Sequence, residues 1–317
     1  MKVHLFRRGI AAFAASLLVC ASGIFVPVFA RENIELQRES SLTVYFGEDG
    51  NGFSDVEFLL YRVADLSEAG VYTLSGDFQT YPVNLNSLDS SDWRALAQTL
   101  AAYAARDGLQ PMQSEKTAKD GYAVFPGLAV GLYLVIGDLY VNGEAVYWPE
   151  PMLVSLPGLT EKDEWNYHVR ASCKFDSDTS PTESVRRKVL KIWKDDGNEE
   201  RRPEKIAVQL LKDGTVADTV ILSQENNWEY TWENLDGSSK WQVVEAETPD
   251  GYTVSVAQEG ITFVITNTGP SDTPSPPSKL PQTGMLWWPV PLLVSGGLLF
   301  IIIGLFVRRR CGDENEK

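Results

Sequence analysis

Short stretches of alternating apolar and polar residues dominate residues 186–268 and constrain the fold more than any other feature. Apolar residues recur at every second position in four runs, which are Ile206/Val208/Leu210, Trp228/Tyr230/Trp232, Trp241/Val243 and Ile261/Phe263/Ile265. Asp-Gly pairs at 213–214, 236–237 and 250–251 separate these runs and are typical of tight turns. Period two with such turns predicts an all-β sandwich of about 85 residues.

Residues 36–175 are also predicted to be mostly strands, with one helix inserted. The predicted strands are Leu42–Phe46, Val56–Val63, Tyr122–Phe125, Leu132–Ile136, Met152–Leu156 and Asn166–Ala171. Residues 91–106 are predicted to be the helix, capped by Asp89 or Ser90, because Trp93, Leu96, Leu100 and Tyr103 recur at helical spacing. We expect this apolar stripe to pack on the sheet; the alternative is a groove for a partner.

Two polar segments punctuate the chain. Residues 176–185 are predicted to link the domains 36–175 and 186–268, and residues 269–279 are a Pro/Ser-rich stalk. About 250 residues outside the apolar ends of the chain suit two domains, both of the Ig-like β-sandwich class.

The N-terminal end of the chain has the pattern of a secretory signal. Residues 1–8 carry Lys2, Arg7 and Arg8, and a mainly apolar segment follows up to Ala30. A signal peptide at 1–30, cleaved before Arg31, is predicted. The alternative is a retained membrane anchor.

The C-terminal end has the pattern of a membrane-spanning segment. Residues 285–307 form an apolar run long enough to cross a bilayer as a helix. Three arginines open the tail 308–317 and are expected to hold it on the cytoplasmic side.

Charge and residue counts exclude several classes of function. The chain has a net charge of −15, and removing both ends makes it more negative, which disfavours nucleic acid as a partner. Cys173 is the one cysteine outside the two ends, so no internal disulfide is expected there. His168 is the one histidine of the exported part, which argues against histidine-based metal sites and Ser-His-Asp catalysis. No cofactor is expected.

A pentapeptide precedes the C-terminal apolar run. Leu280, Pro281, Gln282, Thr283 and Gly284 resemble the LPxTG sorting signal of Gram-positive surface proteins. The resemblance implies that a sortase cleaves after Thr283 and joins it to a peptidoglycan precursor or to another pilin subunit. The membrane helix is then a temporary anchor, and the protein ends attached to the cell wall. The alternative is a single-span protein with a chance pentapeptide.

Residues 186–268 resemble the collagen-adhesin B-type (Cna B-type) domain. The matching motifs are Lys191–Trp193, Val208–Gly214, Asn227–Trp232, Pro249–Tyr252 and Ile265–Asn267. The resemblance implies an intramolecular isopeptide bond between Lys191 and Asn267, assisted by Glu245.

The alternation of residues supports the same three positions. Lys191, Glu245 and Asn267 each continue the apolar face of a predicted strand, so all three are expected to point inward. An apolar setting favours a neutral amine and a protonated carboxyl group, the forms that an amine attack on an amide requires. The alternative is a buried Lys–Glu ion pair beside a hydrogen-bonded asparagine.

Residues 41–175 resemble the N-terminal domain of Gram-positive pilin backbone subunits. The matching motifs are Gly121–Leu128, Gly131–Val135, Pro151–Pro157 and Trp165–Val169. The resemblance implies that Lys174 is the acceptor amine for the next subunit, although Ser172-Cys173 replaces the family's Tyr-Pro before it. The alternative is a merely solvated lysine.

The same region departs from the isopeptide pattern, since Phe46 and Gly137 occupy the places of the lysine and the glutamate. No bond is expected there. Cys173 is expected to be a half-buried thiol or to form an intermolecular disulfide.

These observations predict a sortase-processed, wall-attached pilin subunit with mechanical and adhesive roles. It is a shaft subunit joined through Lys174 and Thr283, or a basal or tip subunit joined through Thr283 alone. The alternative is a monomeric adhesin that binds a host or matrix protein. An enzyme is not expected, because nothing beyond the self-reaction converges as an active site.

Overall fold

The computed structural model describes residues 33–85, 90–178, 184–195 and 197–269. Its strands are β1 Ser40–Tyr45, β2 Gly47–Glu48, β3 Asn51–Gly52, β4 Glu57–Leu66, β5 Tyr72–Leu74, β6 Gln113–Lys116, β7 Tyr122–Leu128, β8 Gly131–Gly137, β9 Tyr140–Asn142, β10 Ala145–Pro149, β11 Met152–Leu156, β12 Gly158–Leu159, β13 Trp165–Asn166, β14 His168–Ser172, β15 Phe175–Asp178, β16 Ser184–Lys194, β17 Lys205–Lys212, β18 Thr215–Ser223, β19 Glu229–Asp236, β20 Trp241–Glu245, β21 Thr253–Glu259 and β22 Thr262–Thr268. The α-helix of these ranges, α1, is Ser90–Arg106, and short 3₁₀ turns lie at Gly76–Phe78, Glu199–Arg201 and Gln224–Asn226. The predicted all-β fold with one inserted helix is confirmed.

The N-terminal β region, residues 33–178, is built mainly from two sheets. One has the strand order β14-β1-β7, and the other has the order β11-β8-β4-β5, with β6 also pairing with β4. Strand β1 runs parallel to β14 and antiparallel to β7. A smaller sheet, β15-β10-β9, and the pairs β2-β3 and β12-β13 complete the region.

The C-terminal β region, residues 184–269, repeats this arrangement. Its sheets have the orders β19-β16-β22-β21 and β18-β17-β20, and its first strand β16 runs parallel to its last strand β22. Buried Val189, Phe263 and Ile265 from one sheet and Val208 and Val243 from the other form its core. The alternation read from the sequence therefore corresponds to inward-facing side chains.

Helix α1 and the residues before it satisfy the backbone donors of β21, an edge strand of the C-terminal region. Three alternate amides of β21 donate hydrogen bonds to the N-terminal region: Val254 N to Pro82 O (2.8 Å), Val256 N to Thr99 Oγ1 (2.8 Å) and Gln258 N to Gln98 Oε1 (3.0 Å). An unpaired strand edge is a template for association with other chains. Here the same chain covers part of that edge, and both β regions lie in one compact unit.

The apolar stripe of α1 is buried, as expected for a packing face. Leu96, Leu100 and Tyr103 are at most 3% exposed, and Trp93 is half-buried. The sequence did not indicate that the helix packs largely against β21 and β20 of the other region.

Three sequence-based expectations need adjustment. Ile261 is 46% exposed because it precedes β22 in the turn after Gly260, and Tyr230 is 42% exposed on the edge strand β19. Strand pairing also extends into the predicted linker 176–185, since β15 reaches Asp178 and β16 begins at Ser184.

Candidate isopeptide site in the C-terminal β region

The three residues of the expected isopeptide site lie on three strands of the C-terminal β region. Lys191 is on β16, Glu245 on β20 and Asn267 on β22, and their exposed fractions are 4%, 0% and 0%. Strands β16 and β22 are parallel neighbours in one sheet, whereas β20 belongs to the other. The site therefore joins the two sheets through the core.

Glu245 and Asn267 are in direct contact across the sandwich. Asn267 Nδ2 donates a hydrogen bond of 3.1 Å to Glu245 Oε1. The remaining oxygens of the two groups, Glu245 Oε2 and Asn267 Oδ1, are buried without a hydrogen-bond partner among the described residues. Turning the amide over and protonating the carboxyl group would let the acid donate to Asn267 Oδ1, the contact through which an acid polarises an amide carbonyl.

The electrostatics favour the protonated carboxyl group. Burial raises the pKa of Glu245 to about 7, and the charge of Lys191 and the hydrogen bond from Asn267 offset part of that rise. Removal from water disfavours the ionised form, which is the cause of the shift. At neutral pH a substantial fraction of Glu245 is therefore an acid able to donate a proton.

The Lys191 amine lies over the ring of Trp193, which belongs to an aromatic cluster. Lys191 Nζ lies 3.9 Å from the centroid of the Trp193 ring and donates to Ile192 O at 3.1 Å. Trp193 in turn packs edge-on against Trp228 and Tyr252, with centroid distances of 5.4 Å and 5.3 Å. These rings limit water around the amine, which strengthens electrostatic interactions at the site.

Sequence reasoning did not assign Trp228 and Tyr252 to this site. Trp228 precedes β19 and has a φ of 58°, a left-handed conformation that is costly for a bulky residue. The sequence analysis counted Trp228 in the alternating run with Tyr230 and Trp232, but it lies in a turn before β19, where strand alternation does not apply.

The arrangement suits an amide exchange that releases ammonia. In such an exchange a C–N bond would form between Lys191 Nζ and Asn267 Cγ, and the bond from Cγ to Nδ2 would break. Glu245 would polarise the amide carbonyl and transfer a proton from the attacking amine to the leaving ammonia. The three residue types and their burial supply the nucleophile, the acyl group and the acid–base group that this step needs.

Comparison with known proteins finds a family match in the C-terminal β region. Residues 187–268 match the family model described as the Cna protein B-type domain. The match coincides with the C-terminal β region and contains all three residues of the candidate site. The collagen adhesin of Staphylococcus aureus is 36% identical over 99 residues, which are 29% of this chain and 8% of the adhesin.

Solved structures of surface proteins resemble the chain more distantly. A single B repeat unit of the collagen-binding protein of S. aureus is 18% identical, covers 74% of this chain and 99% of its own, and has a TM-score of 0.27. The major pilin SpaD of Corynebacterium diphtheriae is also 18% identical, with coverages of 76% and 66% and a TM-score of 0.29. Likeness at this level says nothing about the function of this chain.

The corresponding place in the N-terminal β region is filled by aromatic rings. Phe46 is fully buried and packs against Phe58 and Phe175, each with a centroid distance of 5.7 Å. A Cβ added to Gly137 would lie 2.6 Å from the Phe58 ring and 2.8 Å from Pro149 Cβ. Packing of these rings therefore leaves no room for a glutamate at this position.

Lys174 lies at a different location, in the turn between β14 and β15. Its side chain is exposed, and its carbonyl accepts a hydrogen bond of 2.8 Å from Glu150 N. The preceding Cys173 is 6% exposed, and burial together with the charge of Glu150 raises the pKa of its thiol to about 12. A buried, protonated thiol is a poor partner for an intermolecular disulfide.

The remaining expected elements lie outside the described residues. They are the signal peptide 1–30, the sorting signal 280–284, the apolar run 285–307, the tail 308–317 and nearly all of the stalk 269–279. Within the described ranges, no helix is both long and apolar enough to cross a membrane, and no three His, Cys, Asp or Glu side chains gather as a possible metal site.

Proposed function

We propose that this chain is a sortase-processed, wall-attached surface protein of the pilin type, whose Cna B-type domain is stabilised by a bond between Lys191 and Asn267. The observation that carries the proposal is the burial of these two residues with Glu245 in one core. Removing an amine and a carboxyl group from water costs free energy even where their charges are paired. Reaction removes the cost of the buried amine, because it converts the amine and the amide into a neutral secondary amide.

Attachment to other molecules would use Thr283 and Lys174. Thr283 of the sorting signal is the proposed acyl donor, and a cell-wall amine or Lys174 of a neighbouring subunit is the proposed acceptor. The exposed side chain of Lys174 supports the acceptor role, because a transferase must reach the amine. The hydrogen bond that holds its backbone gives the lysine a defined position.

Polymerisation is tested by the size of the protein released from cell walls. Walls of cells that make this chain, or its Lys174→Ala variant, are digested with a muralytic enzyme and blotted after denaturing electrophoresis. Lys162→Ala is the matched control, because Lys162 is another exposed lysine of the same region. A ladder that Lys174→Ala abolishes and Lys162→Ala retains supports a shaft subunit; a single band in all three contradicts the shaft role.

A monomeric adhesin is the second candidate, favoured by the similarity to the S. aureus collagen adhesin. The matching 99 residues are a small part of that protein, so its ligand is not transferred to this chain. A wall-attached single species that binds immobilised matrix protein equally well with and without Lys174 would favour this candidate.

A further inference from the structure

A cavity of about 530 Å³ is lined by residues of both β regions, away from the candidate isopeptide site. Its apolar lining includes Ala102, Val243, Val256 and Phe263, and two indoles, Trp148 and Trp241, also line it. Cavities of roughly 300–1,000 Å³ with an apolar lining and a few polar groups are typical of small-molecule sites. No step of the proposed function uses this cavity.

Two cationic side chains that form no ion pair among the described residues line the cavity. Arg187 Nη1 donates to Arg186 O at 3.0 Å, and Arg187 Nε is buried without a hydrogen-bond partner among the described residues. Lys240 also lines the cavity and forms no ion pair within the part of the chain that the structure describes, although the charges of Asp138 and Asp213 act on it. Burial lowers the pKa of both groups, which reflects the cost of their incomplete hydration.

The acidic residues of the lining do not compensate for these cations. Glu150 is already ion-paired with Arg94, and Asp176 is exposed at the strand β15. A buried guanidinium nitrogen such as Arg187 Nε that lacks an acceptor is costly, and a carboxylate is the acceptor that the planar guanidinium geometry fits best. A ligand with a carboxylate would therefore provide what the protein itself lacks at this place.

We propose that this cavity binds a small carboxylate with an apolar body, such as a medium-chain fatty acid. The carboxylate accepts hydrogen bonds from the Arg187 guanidinium and lies in the field of Lys240. The apolar body covers the floor formed by Val256 and Phe263, and the indoles of Trp148 and Trp241 flank it.

Decanoate is the probe, titrated into the full chain below its micelle-forming concentration and followed by calorimetry and tryptophan fluorescence. Saturable one-to-one binding is expected. Arg187→Gln should weaken it about 10- to 100-fold, because a hydrogen bond to a charged group is lost. Arg186→Gln is the matched control, since Arg186 is exposed and its ion pair with Glu233 is 3.9 Å long; decanoate affinity should not change.

Two further probes separate the charge from the apolar body and need no variant. Decanol and decylamine have the same chain length, and both should bind the unmodified protein at least tenfold more weakly than decanoate. Equal binding of decanol, equal binding of decylamine or an absence of saturable decanoate binding would each overturn the proposal. Thermal melting of Arg187→Gln separates loss of the site from loss of the fold.

Discussion

Replacement of Glu245 by glutamine should leave Lys191 and Asn267 unlinked. Glutamine has nearly the same shape as glutamate and can still contact the Asn267 amide, but it cannot transfer a proton as a carboxylic acid does. The purified wild-type protein should be lighter than its sequence mass by about 17 Da, one ammonia, whereas Glu245→Gln should keep the full mass.

The stability change follows from the size of the loop that the bond closes. Seventy-five residues lie between Lys191 and Asn267. The loop-entropy relation for a covalent cross-link gives about 4–5 kcal/mol for such a loop at 25 °C. In a compact unit of roughly 150–250 residues, each kcal/mol corresponds to about 2–4 °C in Tm, so a decrease of about 10–20 °C is expected.

Intact-mass spectrometry and calorimetry on the same samples check both numbers. Glu247→Gln is the matched control, because Glu247 is exposed two residues away on the same segment. It should keep the mass loss and the wild-type Tm. A wild-type mass without the loss, or a Glu245→Gln protein that retains it, would refute the reasoning.

Two other predictions concern the protonation of Glu245 and the hydrogen bond that α1 accepts from β21. In Lys191→Met no bond can form, and the raised pKa of Glu245 makes the folded state bind more protons than the unfolded state, whose ordinary value is 4.5. Loss of the Lys191 charge, which lowers this pKa, leaves it above the wild-type value of about 7. The unfolding free energy should therefore be largest below pH 4.5 and fall by about 3 kcal/mol as the pH rises through the raised pKa; denaturant melts at pH 4 and 8 check this, and a flat profile would contradict it. Thr99→Val removes the acceptor of the buried Val256 amide and should lower the free energy of unfolding by about 1–3 kcal/mol. Hydrogen exchange at the Val256 amide should become faster. An unchanged exchange rate would contradict a stabilising role for this hydrogen bond.

Strand alternation predicted the inward direction of Lys191, Glu245 and Asn267, because a period of two is a local property of the chain. The contact between Glu245 and Asn267 depends on how two sheets face each other. No local pattern contains that information. The prediction that these three residues form one site therefore needed the family resemblance as well as the alternation.

The docking of α1 on β21 was not predictable from the sequence for the same reason. Gln98 and Thr99 read as ordinary polar positions of an amphipathic helix, yet they accept hydrogen bonds from β21. The prediction that Ile261 belongs to a strand was wrong for a different reason. Its spacing matches the strand pattern, but the turn at Gly260 places it before β22 begins. The periodicity of the sequence therefore does not predict turns or contacts between the two β regions.

Peptide mapping of the cross-link tests the central claim most directly. Tryptic digestion of the denatured wild-type protein should yield one branched species in which residues 189–194 are joined to residues 241–279, with the junction at Lys191 and Asn267 in fragmentation spectra. Recovery of Lys191 at a cleaved peptide end, together with an unmodified linear peptide that contains Asn267, would contradict the account.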